Sequence, residues 1–400
     1  MYVGEEMADI FNSKSPKPKI RIIHIIMVVL VIFIIFLIFA IYGFFNQSQS
    51  QFEAMYTTGD EDLLTMIETA QFINSNRQPQ STEYLDLTFI SIVEDYALHG
   101  SPGLLAWSGT DRDAFIERSD YSFFYGDGFY AFGGMRHETP QDIFSVEISN
   151  GYSFDLNLLV KIFYNYEEVP FRVLGNEEYS TEFIFTLPAL YDVMIPVQLD
   201  SQLQVNELLS SRLTVAVFLV PDLHIAEFPE FLGMFNAMAL NFEIDYGSHE
   251  RKILLPPSNV ETLSIENLFA GFMINSDLEP TGHTLYVPPY VMRVNPGEII
   301  DLSLIINGNE LLNLEEVESY LVISMLDFHQ IPMNGEPFLH IYTNDEYDIG
   351  QHTRFTIIAP EEPGLYEFTS FVVPNPAHST RDSNFFLLEF GMRFTIEVFE

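Results

Sequence analysis

Over most of the chain, apolar and polar residues alternate with a period of two. Phe144, Val146 and Ile148 alternate with Ser145 and Glu147, and Phe154, Leu156, Leu158, Val160 and Ile162 alternate with Asp155, Asn157 and Lys161. This rhythm sends one row of side chains to a buried face and the other to water, and it predicts antiparallel strands. It returns at Phe183, Phe185 and Leu187, at Tyr191, Val193, Ile195, Val197 and Leu199, and at Leu213, Val215, Val217 and Leu219. Asn-Gly, Gly-Asn, Leu-Pro and Val-Pro pairs punctuate the runs, as turns between strands require. Pro196 has no N–H to give to a ladder and is expected at an edge or a bulge. In the last part of the chain, Ile300, Leu302, Leu304 and Ile306 alternate, 319–326 is almost wholly apolar, and 338–342, 353–358 and 365–373 follow. With 290–294 and the closing Met392, Phe394, Ile396 and Val398, that makes seven expected strands between 290 and 400.

Three stretches depart from the period of two. Leu63, Ile67, Ala70 and Ile73 recur at helical spacing behind Thr58-Gly-Asp-Glu61, which has capping-box spacing, and predict an amphipathic helix over 60–74. Phe228, Phe231, Leu232 and Phe235, with Pro229 suited to a first helical position, predict a second helix over 229–240. Residues 22–45, IIHIIMVVLVIFIIFLIFAIYGFF, hold no acidic residue, lysine or arginine. As a helix this run reaches about 36 Å, enough to span a ~30 Å hydrocarbon core with some tilt.

The expected fold is mainly β, an N-terminal transmembrane helix followed by two β-sandwich domains. In order these are a cytoplasmic tail (1–21), the span (22–45), a stalk with the amphipathic helix (46–83), a β-sandwich with one inserted helix (84–256), a linker (257–289) and a C-terminal β-sandwich (290–400). Lys14, Lys17, Lys19 and Arg21 crowd the near side of the span, and no basic residue follows it until Arg77. The positive-inside rule therefore puts the N-terminus in the cytoplasm and the C-terminal domains outside, on a single-pass signal anchor. A cleaved signal peptide is the competing reading, but its apolar core would be shorter and end in small residues.

Composition narrows the partners. The chain has 57 acidic and 17 basic residues, a formal charge of −40, and no cysteine. So negative a body repels nucleic acid and anionic lipid headgroups, which excludes nucleic acid as a partner. Without disulfides, domains outside the cytoplasm must hold by core burial alone. A cysteine-free acidic exterior suggests a prokaryotic surface protein.

At Ala359-Pro-Glu-Glu-Pro-Gly-Leu-Tyr366-Glu-Phe the chain resembles the E-to-F corner of immunoglobulin-like domains of prokaryotic surface proteins. The resemblance covers 290–400. It implies an Ig-like sandwich in which the Tyr366 hydroxyl bonds back to the corner backbone. The inter-sheet cysteines and core tryptophan of many such domains are missing here. The corner is also similar to the copper-binding strand-loop of cupredoxins, but Ser370 and Phe371 stand where the thiolate ligand of a blue-copper centre would be needed.

Two stretches could carry chemistry. Residues 121–132, YSFFYGDGFYAF, bring Tyr121, Tyr125 and Tyr130 about a Gly-Asp-Gly turn, with Trp107, Asp111 and Asp113 just before them. Aromatic faces stack on sugar rings and carboxylates accept hydroxyl protons, so these six residues are candidate glycan ligands. The plain alternative is a hairpin whose aromatics fill a core. Asn344, Glu346 and Asp348 offer oxygen ligands at alternate positions for Ca²⁺, although the loop lacks the glycine and bidentate glutamate spacing of an EF-hand, and the alternative is a solvated turn. No catalytic constellation stands out. His99-Gly-Ser101-Pro-Gly103 lacks the first glycine of a nucleophile elbow. No other cofactor is indicated. The expected function is that of a non-enzymatic extracytoplasmic interaction or structural protein, held to the membrane by one helix and meeting a protein or glycan partner. A glycan-binding or carbohydrate-active surface protein and an auxiliary subunit of a membrane complex are the alternatives.

Overall fold

Strand after strand in the computed structural model is buried on both faces, which a free-standing sandwich would not allow. The structure describes residues 79–91, 102–108, 134–136, 143–200, 211–226, 237–245, 260, 262–266, 271–275, 291–307, 317–342, 349–377, 388–390 and 393–399. All belong to the unit Leu64–Glu400, the second of two compact units in the chain. The described elements are all strands, and no helix among the described residues is long and apolar enough to cross a membrane. The apolar run 22–45, the expected helix over 60–74 and most of the one over 229–240 lie outside the described residues.

The first eleven strands are β1 (Thr88–Ser91), β2 (Pro102–Ser108), β3 (Gly134–Arg136), β4 (Phe144–Asn150), β5 (Leu156–Tyr164), β6 (Glu167–Glu168), β7 (Phe171–Val173), β8 (Phe183–Leu187), β9 (Tyr191–Leu199), β10 (Ser211–Leu219) and β11 (Ala237–Asp245). They form two sheets. Sheet 1 runs β1-β9-β4-β2 with β7 also on β9, and sheet 2 runs β3-β11-β10-β5-β6 with β8 also on β5. Phe144, Val146, Ile148, Val193, Ile195 and Val197 of sheet 1 are buried, as are Leu158, Val160, Ile162, Leu213, Val215 and Val217 of sheet 2. Buried Asn150, at the end of β4, ties the two sheets together by donating from Nδ2 to the carbonyls of Leu187 and Pro188 at 3.2 and 3.0 Å.

The second half contributes β12 (Leu263–Glu266), β13 (Gly271–Asn275), β14 (Val291–Val294), β15 (Ile299–Asn307), β16 (Ser319–Leu326), β17 (His329–Ile331), β18 (Leu339–Tyr342), β19 (Ile349–Ile358), β20 (Gly364–Pro374), β21 (Glu389–Phe390) and β22 (Phe394–Val398). Sheet 3 runs β14-β22-β20-β16-β17, with β18 on β16 and β21 on β20, and sheet 4 runs β12-β19-β15-β13. Between them Leu302, Leu304, Val322, Leu339, Phe355, Phe368, Phe394 and Ile396 make one core. Within 257–289, expected as a linker, β12 and β13 pair antiparallel with β19 and β15, so this stretch contributes two strands to sheet 4.

The two sandwiches are fused. Leu159, Phe163, Ile184, Ala216, Phe218, Ala237 and Ala239 of sheet 2 and Leu321, Ile323, Met325, Phe371 and Val373 of sheet 3 belong to one buried cluster. Sheets 2 and 3 are thus the inner layers of a four-layer stack. All nine residues of β5, all nine of β10 and all eight of β16 are buried. This corrects the expectation of a wet face on β5. Asp155, just before the strand, is exposed as expected, but Asn157 and Lys161 are buried. Ala237 and Met238, expected near the end of a helix, open β11 together with Ala239 and Leu240. Their register against β10 is fixed by Phe218↔Ala237 and Ala216↔Ala239, which puts both alanines on the shared face.

Pro196 is not on an outer edge. It lies in β9, opposite Ser145 of β4. Its carbonyl accepts the Leu174 N–H at 2.9 Å. The N–H and C=O of one strand residue point the same way, so the missing donor faces the break between β7, which pairs with Val197–Leu199, and β1, which pairs with Tyr191–Met194. Gly175 (φ +94°) turns the chain there. A Cβ on it would meet the Tyr84 carbonyl at 2.5 Å, so the segment ahead of β1 crosses over bare backbone.

Candidate functional site

None of the side chains singled out from the sequence as ligand or metal groups can be placed. Asp111, Asp113, Tyr121, Tyr125, Tyr130, Asn344, Glu346 and Asp348 lie outside the described residues. The backbone of Trp107 is in β2, opposite Ser145 of β4. Among the described residues no group of three His, Cys, Asp or Glu could hold a metal ion. The polar chemistry that the structure does assemble lies along the seam between the sandwiches.

One cluster borders a groove of about 470 Å³ whose walls include Glu167, Glu168, Thr181, His329, Gln330, Pro332 and Pro337. Lys161 on β5 points toward it from the shared face and is fully buried. Its Nζ donates to Glu168 Oε1 at 2.6 Å and lies 3.7 Å from Glu182 Oε2. It also meets Nδ1 of His329, from the second sandwich, at 3.2 Å. Two edge strands are stitched together beside it. The Glu168 N–H donates to Gln330 Oε1 at 2.7 Å, and the Gln330 N–H donates to Glu168 Oε2 at 2.9 Å. Each side chain covers the other strand's unpaired backbone donor, so neither edge is open to a foreign strand there. Burial raises the Glu168 pKa, but the His329 ring, the Lys161 charge and hydrogen bond and the Gln330 N–H outweigh it and bring it to about 2.

The second cluster is drier. Glu367 of β20 is fully buried and accepts from Arg393 Nε at 2.9 Å, from the Ile225 N–H at 3.2 Å and from the Thr395 hydroxyl. His224 Nδ1 is 3.4 Å from the same carboxylate. Arg393 Nη2 donates to the Leu223 carbonyl, and Thr395 Oγ1 accepts the Ala226 N–H at 2.8 Å. Glu367 of β20, Thr395 of β22 and Arg393 just ahead of β22 thereby hold the backbone of residues 223–226, which follow β10 of the first sandwich. Burial pushes the Glu367 pKa up, and Arg393, His224 and Thr395 more than offset this, leaving it below the usual carboxylate value.

Both sandwiches send an aromatic across the seam from a two-residue hairpin turn. Asn165 and Tyr166 (φ 50° and 70°) join β5 to β6, and Asp327 and Phe328 (φ 53° and 66°) join β16 to β17. Such turns favour glycine at the second position, as at Asn334–Gly335 (φ 53° and 83°), because a side chain there is strained. Here the aromatics keep the strained geometry because the partner sandwich holds them. The Tyr166 hydroxyl donates to the Pro376 carbonyl at 3.1 Å and its ring meets Phe338 edge-on at 6.3 Å. Phe328 lies 5.0 Å from Phe218, and the Arg393 guanidinium stands 4.9 Å over its ring.

Sequence reading missed this site, though two signals were present. Lys161 is one of only two lysines beyond residue 45, and Glu367 and Arg393 interrupt otherwise apolar strand patterns. The tyrosine corner, by contrast, is where the resemblance put it. Tyr366 Oη donates to the Glu362 carbonyl at 2.9 Å.

No family model matches the sequence, and no curated protein matches it. Among solved structures the chain is similar to the C-terminal domain of the Streptococcus agalactiae AgI/II polypeptide BspA, at 6% identity over 74% of this chain and 100% of that one, with a TM-score of 0.19. It is also similar to the C-terminal domain of the Streptococcus pyogenes antigen I/II-family protein AspA, at 7% identity over 74% and 99%, with a TM-score of 0.16. Red sea bream transglutaminase aligns at 11% identity over 66% of this chain with a TM-score of 0.19, and the chain spans 30% of that protein's length. At such scores these likenesses have no bearing on function.

Proposed function

We propose that this chain is an extracytoplasmic interaction or structural protein of a prokaryotic cell, anchored by the single helix of residues 22–45 and presenting two β-sandwiches, the second of Ig-like type. The observation that carries this reading is the fused core. A seam built from the inner faces of sheets 2 and 3 turns two sandwiches into a scaffold that leaves its outer sheets and loops to meet a protein or glycan. The acidic, cysteine-free composition and the basic residues ahead of the apolar run support the location. The Tyr366–Glu362 bond supports the Ig-like assignment.

The test is topological. Protease added to intact cells should cleave the sandwich region while a cytoplasmic control survives, and alkaline washing should leave the chain in the membrane. Protection of the sandwiches under conditions that cut exterior controls, or their release by the wash, would overturn the reading. Recovery of a stoichiometric partner after mild detergent extraction then separates an interaction role from a purely structural one.

A further inference from the structure

β1 ends sheet 1, and among the described strands it pairs with β9 alone. The direction of its backbone groups follows from the register. The Pro196 carbonyl of β9 accepts the Leu174 N–H just past β7, on the side of β9 where β1 also lies. Met194 and Asp192 alternate in step with Pro196, so they too direct N–H and C=O to that side, and Thr88 and Ile90 of β1 answer them. Phe89 and Ser91 therefore turn both their N–H and their C=O outward, with no described strand beyond them. Other edges are guarded. β6 and β17 cover one another through Glu168 and Gln330, and β14 carries Arg293, paired with Glu397 at 2.7 Å. β1, Thr-Phe-Ile-Ser, has no charge and no proline, and its register is unbroken.

The side chains at this edge also lack cover. Phe89 lies opposite fully buried Val193, so its ring belongs to the inner row of the sheet, yet it is 38% exposed. Tyr84 and Tyr179, the other exposed large apolar side chains described in the first sandwich, stand on the same side, at 80% and 37%. The Asp86 N–H donates to the Leu174 carbonyl at 3.0 Å, and Tyr179 lies 5.2 Å from the Arg172 guanidinium of β7. Aromatics grouped beside unpaired strand backbone are what a docked strand covers. The charges exposed among them, Glu83, Asp86, Glu177 and Glu178, are acidic. Arg172 is already taken up by Gln198 and Tyr179.

We infer that β1 is a docking edge for an extended segment of another protein, apolar at alternate positions and flanked by lysine or arginine. The segment lies antiparallel, as every other pairing in sheet 1 does. Phe89 and Ser91 supply the main-chain bonds, an apolar side chain beside Phe89 extends the inner row, and the flanking cations meet the carboxylates. A second copy of a chain carrying −40 would bring like charges together instead. This rests on the interaction reading given above and narrows its partner to one class.

The test uses the full chain in mild detergent and a fluorescent peptide of alternating valine and threonine with lysine pairs at both ends, read by anisotropy. Ser91→Pro removes an outward donor without touching the β1–β9 bonds. It should weaken binding at least about tenfold, while Ser91→Ala stays within about twofold. Two altered probes leave the protein as it is and so do not depend on how the variant folds. A peptide N-methylated at its valines, whose N–H groups face β1 in this docking, should lose binding, as should one with glutamates for lysines. Failure of the parent peptide to bind, binding that survives N-methylation or Ser91→Pro in a chain of unchanged Tm, or an equal hold on the glutamate probe would overturn the docking edge. A dimer that Ser91→Pro abolishes would overturn the choice of partner. If a stoichiometric partner is still recovered from membranes with Ser91→Pro, the interaction reading stands and this edge is wrong.

Discussion

Lys161 shows how much a single position depends on its surroundings. In isolation it is the polar member of an alternating strand. In the folded chain it is a buried cation whose charge is balanced by Glu168 at 2.6 Å. Removing one member of such a pair leaves the other charge buried, so Lys161→Met should cost about 3 kcal/mol or more, and adding Glu168→Gln should recover part of it. Urea melts of the single and double variants check both. The same pair sets an acid limit. The Glu168 pKa falls from 4.5 to about 2 on folding, so the unfolded chain binds the proton more readily. The stabilisation is complete above about pH 5 and drains away as the pH falls toward 2. The shift corresponds to at most about 3 kcal/mol, less whatever solvent in the groove screens, and Glu168→Gln should flatten this part of the stability–pH curve. The strained aromatics make a further prediction. Tyr166→Gly or Phe328→Gly relieves a left-handed residue, worth about 1 kcal/mol, but loses buried ring contacts worth about 3–5. Both variants should therefore be less stable by about 2 kcal/mol or more in denaturant melts.

Among the elements, β10 and β11 show why sheet 2 can serve two cores. Their shared-face residues Ala216, Ala237 and Ala239 are small, and Leu321, Ile323 and Phe371 of sheet 3 belong to the same cluster. Small positions on one layer admit large ones from the other, so bulk added to the alanine row has nowhere to go. Ala216→Leu should overpack the seam and cost about 1–3 kcal/mol, whereas the smaller change Val322→Leu, in the second sandwich's own core, should leave the seam amides of Ile225 and Ala226 untouched. Calorimetry with hydrogen exchange distinguishes the two. The short edge strands β6 and β17 are guarded by the reciprocal Glu168–Gln330 bonds, which need two side chains far apart in sequence to meet.

For the molecule as a whole, motion between neighbouring domains is the ordinary expectation unless the interface is large and apolar. The seam meets that exception. The sandwiches should therefore unfold together, giving one calorimetric transition in which the calorimetric and van't Hoff enthalpies agree. Two resolved transitions would mean that the shared core does not couple them.

The order of elements was legible from the chain itself, because period-two alternation is a local property. The expected strands at 319–326, 338–342, 353–358 and 365–373 coincide closely with β16, β18, the end of β19 and β20, and the corner tyrosine bonds as its motif implied. Which faces stay dry was not legible. Alternation marks one apolar row per strand, but Leu159, Lys161 and Phe163 show that the second row of β5 is buried too. That row is covered by sheet 3, whose facing strands lie some 160 or more residues away. The same holds for Glu367 and Arg393. A charge in a strand reads as a solvent position until a distant loop supplies the donors and acceptors that let it stay buried. Local pattern fixes strands, whereas only the meeting of two sheets decides which of their polar residues become the joint.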